Sequence, residues 1–455
     1  MPTLPTRGRS YTVLALILLC AACMVYYHLG LFVPQALEVR AVQGFGHGYS
    51  FGADFYPIWL TSRDALLHHR GPYSPETTRL IQIGLFGRPL DVSNSATPQD
   101  YRAFAYPAFA DLLFWPLALV WFPVARVGLA VILPGVTALS ILLWLRTLRL
   151  RAGPVMLASL ILLTLSSYVV LEGLFAEQMG LLVGFLLAAS LAALVGQRFF
   201  LSGSLLALTL IKPQMMLLVA AYLLLWSFAR WRARHRFVVG FFLMSALLGA
   251  CSLLLWPGWI SQWMEVMRGY RQYSTPPLVF YLLGNRLGPR FGPILIAALL
   301  VSAIAIAARM RRASSMSTEF GLTVSLLLAI TAITLLPGHA VYDHVVLLPG
   351  VILIALSWHG FTARRPFRVV LAVTGLAVFW QWICAPVVIA MRPLLSRELF
   401  VSAVLTLPIR TAASIPFGVL ALLGWMMWQE THKKFPATMK RPDVDVRNRS
   451  VFENQ

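Results

Sequence analysis

Long apolar runs follow one another along almost the whole chain. The first covers about residues 11–33, and later runs lie near residues 104–122, 126–145, 154–171, 178–196, 199–228, 237–256, 291–308, 319–335, 341–358, 367–389 and 400–428. A helix needs about 20 apolar residues to cross a bilayer, and in lipid only helices and closed barrels satisfy every backbone polar group. The pattern therefore predicts an all-α fold, a polytopic integral membrane protein of about 12 transmembrane helices.

The first half of this span pattern has two solutions. If every run is one span, the arginines of residues 146–151 lie outside the cell, against the rule that basic loops stay in the cytoplasm. A second scheme makes residues 104–122 re-entrant and splits residues 199–228 at Lys212-Pro213, because proline interrupts a helix. The sequence leaves both schemes open.

Two polar regions, residues 34–102 and 257–290, are predicted to be large external loops. In the first loop, Tyr56 to His69 has the pattern of an amphipathic helix that lies on the membrane. We expect residues 1–430 to form a single transmembrane domain, and residues 431–455 to form a disordered, basic cytoplasmic tail.

The charges orient the chain in the bilayer. Lys and Arg number 37 against 17 Asp and Glu, which gives a net charge of +20. The excess lies in short clusters between apolar runs, such as RWRARHR at residues 230–236 and RMRR at residues 309–312. This is the positive-inside pattern of membrane proteins and not a nucleic-acid surface. We expect the lipid bilayer as a partner, no nucleic acid, and the clusters in the cytoplasm.

Ionisable side chains at membrane depth or at the membrane surface are costly, so each is a functional candidate. Asp54 lies among aromatic residues in SFGADFYPIWLTSRDALL, just after the first apolar run. Such surroundings can raise the pKa of a carboxyl and suit it to taking a proton from a hydroxyl. The alternative is that Asp54 caps a helix that begins near Pro57.

Two further segments carry candidate residues. Lys212 is the only lysine before residue 433 and lies in the apolar run LLALTLIKPQMMLLV, where it could bind a phosphate or simply mark a kink. In LLPGHAVYDHVVLLPG, the spacing could bring His339, Asp343 and His344 together at the mouth of a helix. A metal site and a hydrogen-bonded polar cluster both fit that spacing.

The order of five short segments resembles glycosyltransferase family 87, the polyprenyl-phosphate-mannose-dependent mannosyltransferases of the GT-C superfamily. From about residue 50 to 350, the segments are ADFYPIWLTSRDALL with GPYSP, YPAFADLLFWPLALV, AEQMGLLVGFLLAASLAAL, LSGSLLALTLIKPQMMLLV and LLPGHAVYDHVVLLPG. The chain departs from the family where members usually show YPP, because it has Tyr106-Pro107-Ala108.

The resemblance implies a multi-pass hexosyltransferase of the inner or plasma membrane whose site faces the periplasm or the exterior. It would move a hexose, with mannose favoured, from a polyprenyl-phosphate sugar to a hydroxyl of a lipid-linked or envelope glycan, without a cofactor. By the same resemblance, Asp54 matches the catalytic aspartate and His344 or His339 the histidine of the late external loop. Gln178 and Lys212 match the glutamine that opens a span and the lysine of the KP position.

The chemistry of such a transfer assigns roles to these residues. Asp54 would take the acceptor proton while attack inverts the anomeric carbon. Cations from Lys212, Arg63 or a loop histidine would neutralise the departing phosphate, so that no metal is required. Tyr56 and Tyr73 could line the sugar pocket. The alternative is a transporter or flippase of lipid-linked saccharides, but such proteins typically contain internal repeats, and this sequence contains no recognisable one.

Overall fold

A computed structural model describes residues 7–43, 49–91, 101–284, 288, 290–357 and 365–431. Within these residues the chain forms helices and no strand, apart from one isolated bridge between Pro277 and Pro337. The predicted all-α fold is confirmed. Nearly all of the predicted cytoplasmic tail, from residue 432 onward, lies outside the described residues.

The α-helices are numbered in chain order, and short 3₁₀ and π segments interrupt them. They are α1 (Arg7–Tyr26), α2 (Val33–Val42), α3 (Tyr56–His68), α4 (Pro75–Phe86), α5 (Phe109–Ala118), α6 (Phe122–Thr147), α7 (Pro154–Leu165), α8 (Tyr168–Ala176), α9 (Met179–Val195), α10 (Phe199–Leu208), α11 (Leu217–Phe228), α12 (Trp231–Leu255), α13 (Trp259–Tyr273), α14 (Phe291–Met310), α15 (Thr318–Thr334), α16 (Leu348–Leu356), α17 (Arg365–Met391) and α18 (Arg397–Thr431).

Six helical stretches of the described chain are long and apolar enough to cross a membrane, or seven if the bent pair α7 and α8 counts as one span. The first of them, Tyr11–Val42, joins α1 to α2 through a π-helical segment. Several other predicted spans form shorter apolar helices. The structure therefore supports a polytopic membrane protein but does not establish the predicted total of about 12 spans.

One end of the bundle gathers basic residues from distant parts of the chain. Arg234 Nη2 donates to Ala313 O at 3.0 Å, and Trp226 Nε1 donates to the same carbonyl at 2.8 Å. Arg149 Nη1 donates to Met316 O at 3.3 Å. We call this region the arginine end. Because Arg149 belongs to it, the arginines that contradicted the first span scheme share an end with the later basic clusters, as the second scheme requires.

The structure breaks the run at residues 199–228 where the second scheme places the break. The helix that begins at Phe199 stops at Lys212, whose φ of −128° and ψ of 76° are not helical, and α11 starts only at Leu217. Pro213 explains the break, since proline lacks an N–H and drives the preceding residue out of the helical region. Helix α5 has 10 residues, which is about 15 Å and too short to cross a bilayer.

The predicted first external loop contains the predicted helix, here α3 at Tyr56–His68, and also a second helix, α4, that was not predicted. Ser74 caps α4, since its Oγ accepts from Thr77 N at 3.1 Å. Helix α3 packs against α5, and Ser62 Oγ donates to Asp111 O at 3.3 Å; its predicted position on the membrane stays a prediction.

The core centres on α15, in which every residue from Phe320 to Thr334 is buried. Elsewhere in the bundle, α10 and α12 pack with their backbones in contact. A Cβ on Gly203 would lie 2.0 Å from Phe237 O, and one on Gly240 would lie 2.2 Å from Phe200 O. Such close approach of two membrane helices requires small residues at the crossing point.

Replacing Gly240 by Ala should destabilise the protein, because the backbone of α10 cannot yield as a flexible side chain can. Overpacking of this kind costs about 1–3 kcal/mol, so the apparent Tm in detergent should fall. Gly249→Ala in the same helix is the matched control, since nothing lies within 4 Å of its added Cβ, and Ala favours helix by about 1 kcal/mol. Equal melting temperatures for the two variants would contradict the close packing of α10 on α12.

Candidate active site

The end of the bundle opposite the arginine end carries Asp54, on a turn that is bonded to the end of α8. Gly52 N donates to Phe175 O at 2.9 Å, and Asp54 N donates to Ala176 O at 3.1 Å. Gly52 has a φ of +76°, in the left-handed region that glycine adopts without a steric penalty. The turn therefore holds Asp54 beside Gln178, the residue that precedes α9.

The carboxylate of Asp54 has two side-chain partners. Arg102 Nη1 donates to Asp54 Oδ1 at 2.6 Å, and Gln178 Nε2 donates to Asp54 Oδ2. The Asp54 side chain retains 15% exposure and that of Arg102 24%, so the pair can be reached from outside. Helix α3 has no side-chain cap and follows Phe55. The alternative in which Asp54 acts as a helix cap is therefore wrong.

Gln178 connects Asp54 to a second, more deeply buried ion pair. Lys212 Nζ donates to Gln178 Oε1 at 2.9 Å and to the two carboxylate oxygens of Asp343 at 2.7 and 2.9 Å. The side chains of Lys212 and Asp343 are only 9% and 1% exposed. We call the hydrogen-bonded series Arg102, Asp54, Gln178, Lys212 and Asp343 the polar chain. Its two cations balance its two carboxylates.

Tyrosine rings lie over the polar chain. The Tyr342 ring centroid is 5.3 Å from Lys212 Nζ, a cation–π distance. Burial, together with the negative charges of Asp54 and Asp343, holds the pKa of Tyr106 well above its usual range. The Tyr106 phenol is therefore protonated at neutral pH and can donate a hydrogen bond but cannot serve as a base. Of the two carboxylates in the polar chain, that of Asp54 is the more exposed.

Three side chains predicted to bind the donor lie outside the polar chain. Arg63 Nη1 donates to Ala118 O at the end of α5, at 2.9 Å. Tyr73 OH donates to the backbone carbonyl of Tyr106 at 2.7 Å, so Tyr73 contacts Tyr106 and not the polar chain. The hydroxyl of Tyr56 packs on Gly84 of α4. Their predicted roles in binding the donor stay predictions.

The two candidate histidines face different surroundings. His339 is exposed, and its Nδ1 lies 2.6 Å from Thr275 Oγ1, in the segment that leads from α15 to Asp343. His344 is 4% exposed and lies against the backbone of Ala412 in α18. Neither histidine belongs to the polar chain, and a role for either stays a prediction. Within the described residues, no group of three or more His, Cys, Asp or Glu side chains is arranged to hold a metal ion.

Arg102 is the member of the polar chain that sequence reasoning missed. It follows a polar stretch of the predicted first external loop, where an arginine carries no local pattern that separates it from a solvated charge. The available signal was indirect: a carboxylate that is partly desolvated at a membrane surface needs a nearby cation. The sequence groups Asp343 with His339 and His344, and it does not predict the hydrogen bonds that Asp343 accepts from Lys212.

These features define a class of protein: a multi-helix membrane protein with a partly exposed carboxylate, an amide and two cations joined at one end of the bundle. A family model for glycosyltransferase family 87 matches residues 104–337, just over half of the chain. The chain therefore belongs to glycosyltransferase family 87. A search of curated proteins finds no match. The matched range contains Gln178 and Lys212, begins after Asp54 and Arg102, and ends before His339.

Removing Lys212 should destabilise the protein more than removing the whole ion pair. Lys212→Met leaves the carboxylate of Asp343 buried without its cation, which costs about 3–5 kcal/mol, whereas replacing both partners by uncharged residues is often far less costly. The double variant Lys212→Met with Asp343→Asn should therefore recover much of the apparent Tm that Lys212→Met loses.

Thermal unfolding in detergent of both single variants and the double variant measures this coupling. Glu76→Gln is the control, because Glu76 and Arg79 form an exposed pair on α4 that contributes about 0–1 kcal/mol. If the losses of the two single variants simply add in the double variant, Lys212 and Asp343 are not coupled.

Proposed function

We propose that this glycosyltransferase moves a hexose, with mannose favoured, from a polyprenyl-phosphate sugar to a hydroxyl of a lipid-linked or envelope glycan. The observation that carries the proposal is the Asp54 carboxylate, partly exposed and bonded to both Arg102 and Gln178. A carboxylate and a cation that lie side by side and are both partly exposed are the two groups needed to activate a hydroxyl and to receive a phosphate.

The reaction is a single displacement at the anomeric carbon. The acceptor oxygen attacks that carbon from the side opposite the phosphate, the bond between carbon and phosphate oxygen breaks, and the configuration inverts. Asp54 takes the proton of the attacking hydroxyl. The polyprenyl phosphate leaves with the electron pair of the broken bond, and a positive charge beside it lowers the energy of the transition state.

Arg102 is the cation we assign to the leaving phosphate. In the structure its guanidinium donates to Asp54 Oδ1 at 2.6 Å and so occupies one oxygen of that carboxylate. A phosphate binds a guanidinium through two parallel hydrogen bonds, so the donor competes with Asp54 for Arg102. Binding of the donor would then release the carboxylate to act as the base.

Lys212 acts in this proposal mainly through Gln178. Because Gln178 Oε1 accepts from Lys212 Nζ, the amide is oriented with its Nε2 toward Asp54. The Lys212 ammonium is already bonded to Asp343, so direct contact with a phosphate would require Lys212 to give up one of these bonds. It still adds a positive charge close to the site.

The orientation follows from the positions of the charges. If the arginine end lies in the cytoplasm, as the positive-inside rule favours, Asp54 lies on the periplasmic or external face. Nucleotide sugars are made in the cytoplasm, so a lipid-linked donor that has reached the outer leaflet fits this placement. Family membership supports glycosyl transfer over the alternative, a transporter or flippase of lipid-linked saccharides.

A panel of polyprenyl-phosphate sugars tests the proposal. Purified protein in detergent is incubated with each donor and a lipid extract of the source membrane, and mass spectrometry detects new glycolipids. We expect one hexose donor to give a product whose anomeric configuration is opposite to that of the donor. Turnover of a nucleotide sugar instead, or a product with retained configuration, would contradict the proposed donor or the proposed mechanism.

Asp54→Asn should lower the rate of transfer by on the order of 100-fold or more, because a positioned general base contributes that much. Asparagine keeps the size of the side chain and can still accept from Gln178, so the apparent Tm in detergent should stay close to that of the wild type. Glu76→Gln removes an exposed carboxylate from the same external region and should leave both rate and Tm unchanged. Retained turnover in a stable Asp54→Asn protein would refute the role of Asp54 as base.

A further inference from the structure

A groove with a volume of about 440 Å³ lies between α2 and the start of α18. A smaller groove of about 230 Å³ continues it along α2. We call the two together the α2–α18 groove, and none of its lining residues belongs to the polar chain. Apolar side chains, an amide and two arginines line the larger part, namely Gln35, Arg392, Leu395, Arg397, Phe400 and Val401.

Three of the stretches that are long enough to cross a membrane meet at this groove. One of them ends there at Val42 and another at Leu394, and the third begins at Arg397. Helices that cross a bilayer end near its polar headgroups, so the groove opens at the headgroup level of one leaflet. The side chains of Val42, Leu394 and Leu399 around it are exposed and apolar, as suits contact with lipid.

The groove lies at the end of the bundle that carries Asp54. Arg397 Nη2 donates to Glu38 Oε1 at 2.6 Å, which places the start of α18 beside α2. At the other end of α18, Glu430 lies close enough to Glu319 of α15 for their like charges to interact. Glu319 follows Met316 of the arginine end along the chain. Helix α18 therefore runs from the groove to the arginine end.

Arg392 is the cation that the groove leaves available. Its guanidinium lies 5.9 Å from the centroid of the Phe400 ring, and within the described chain it has no hydrogen-bond or ion-pair partner. The charge of Arg397, by contrast, is paired with that of Glu38. The positive-inside rule accounts for arginines at the cytoplasmic end of a bundle but not for Arg392, in a short turn at the opposite end.

We propose that the α2–α18 groove binds an anionic phospholipid, with the lipid phosphate on Arg392 and an acyl chain against Phe400 and Val401. A guanidinium binds a phosphate through two parallel hydrogen bonds. The apolar walls favour a lipid over a free phosphate, because acyl chains gain from leaving water and a bare anion does not. The proposal depends neither on the identity of the sugar donor nor on the role of Asp54.

Cross-linking locates the lipid on the full-length protein in detergent. Phosphatidylglycerol with a photoreactive group in its acyl chain should label peptides that contain residues 35–43 and 395–401. Arg392→Gln should raise the lipid concentration for half-maximal labelling about 10-fold, since a hydrogen bond to a charged group contributes about that much. Arg312→Gln is the matched control, because it removes the same charge from the arginine end.

Arg312→Gln should label these two segments as the wild type does, and excess phosphatidylcholine should not compete. Equal half-maximal concentrations for the wild type and Arg392→Gln would overturn the proposal and leave Arg392 an arginine that merely reaches the headgroups. Competition by phosphatidylcholine as strong as that by unlabelled phosphatidylglycerol would also overturn it, because the groove would then not recognise the anionic head.

Thermal unfolding separates a lipid site from a simple anion site. Because Arg392 has no polar partner to lose, Arg392→Gln should melt like the wild type without lipid, whereas phosphatidylglycerol should raise the Tm of the wild type more than that of the variant. Inorganic phosphate that gives the same rise, or that displaces the photoreactive lipid, would contradict a lipid as the occupant.

A second variant tests the apolar wall while both arginines stay in place. Val401→Trp fills the groove with a larger side chain, so labelling of residues 35–43 should fall although the charge is unchanged. Full labelling in a Val401→Trp protein that melts like the wild type would show that the acyl chain lies elsewhere, and the proposed groove would be wrong.

Discussion

The buried bond between Lys212 and Asp343 is the constraint on which the site depends. An ammonium and a carboxylate inside an apolar bundle are tolerable only when they meet each other and satisfy their remaining hydrogen bonds. This requirement joins the break between α10 and α11 to the 3₁₀ segment before α16. Gln178 takes the remaining bond of the ammonium and carries the connection to Asp54.

Irregular backbone surrounds this connection, and it occurs where protein and not lipid covers it. Lys212 lies between two short 3₁₀ segments, Asp343 lies in another, and Asp54 lies on a turn. Broken helices at membrane depth need polar partners for their freed backbone groups, and they provide sites for polar ligands in return. The same breaks that make several helices too short to be counted as spans therefore create the candidate active site.

The charges of the site are balanced before any substrate arrives. Arg102 and Lys212 are matched by Asp54 and Asp343, but the two pairs differ in exposure. The inner pair is nearly inaccessible and serves the architecture, whereas the outer pair is open to a ligand. In the proposed reaction the phosphate would exchange with the outer pair, where less desolvated charge has to be rearranged.

The sequence by itself determined the helical membrane fold, because runs of about 20 apolar residues leave no other way to satisfy the backbone in lipid. It also marked Asp54 and Lys212 as candidates, since polar groups in such surroundings are costly, and the resemblance to the family added Gln178. Only the tertiary structure decided how they connect: Gln178 and Asp54 are 124 positions apart, and Lys212 and Asp343 are 131. Arg102 acquires its significance in the same way, because helix packing decides which charges meet and no local pattern encodes that packing.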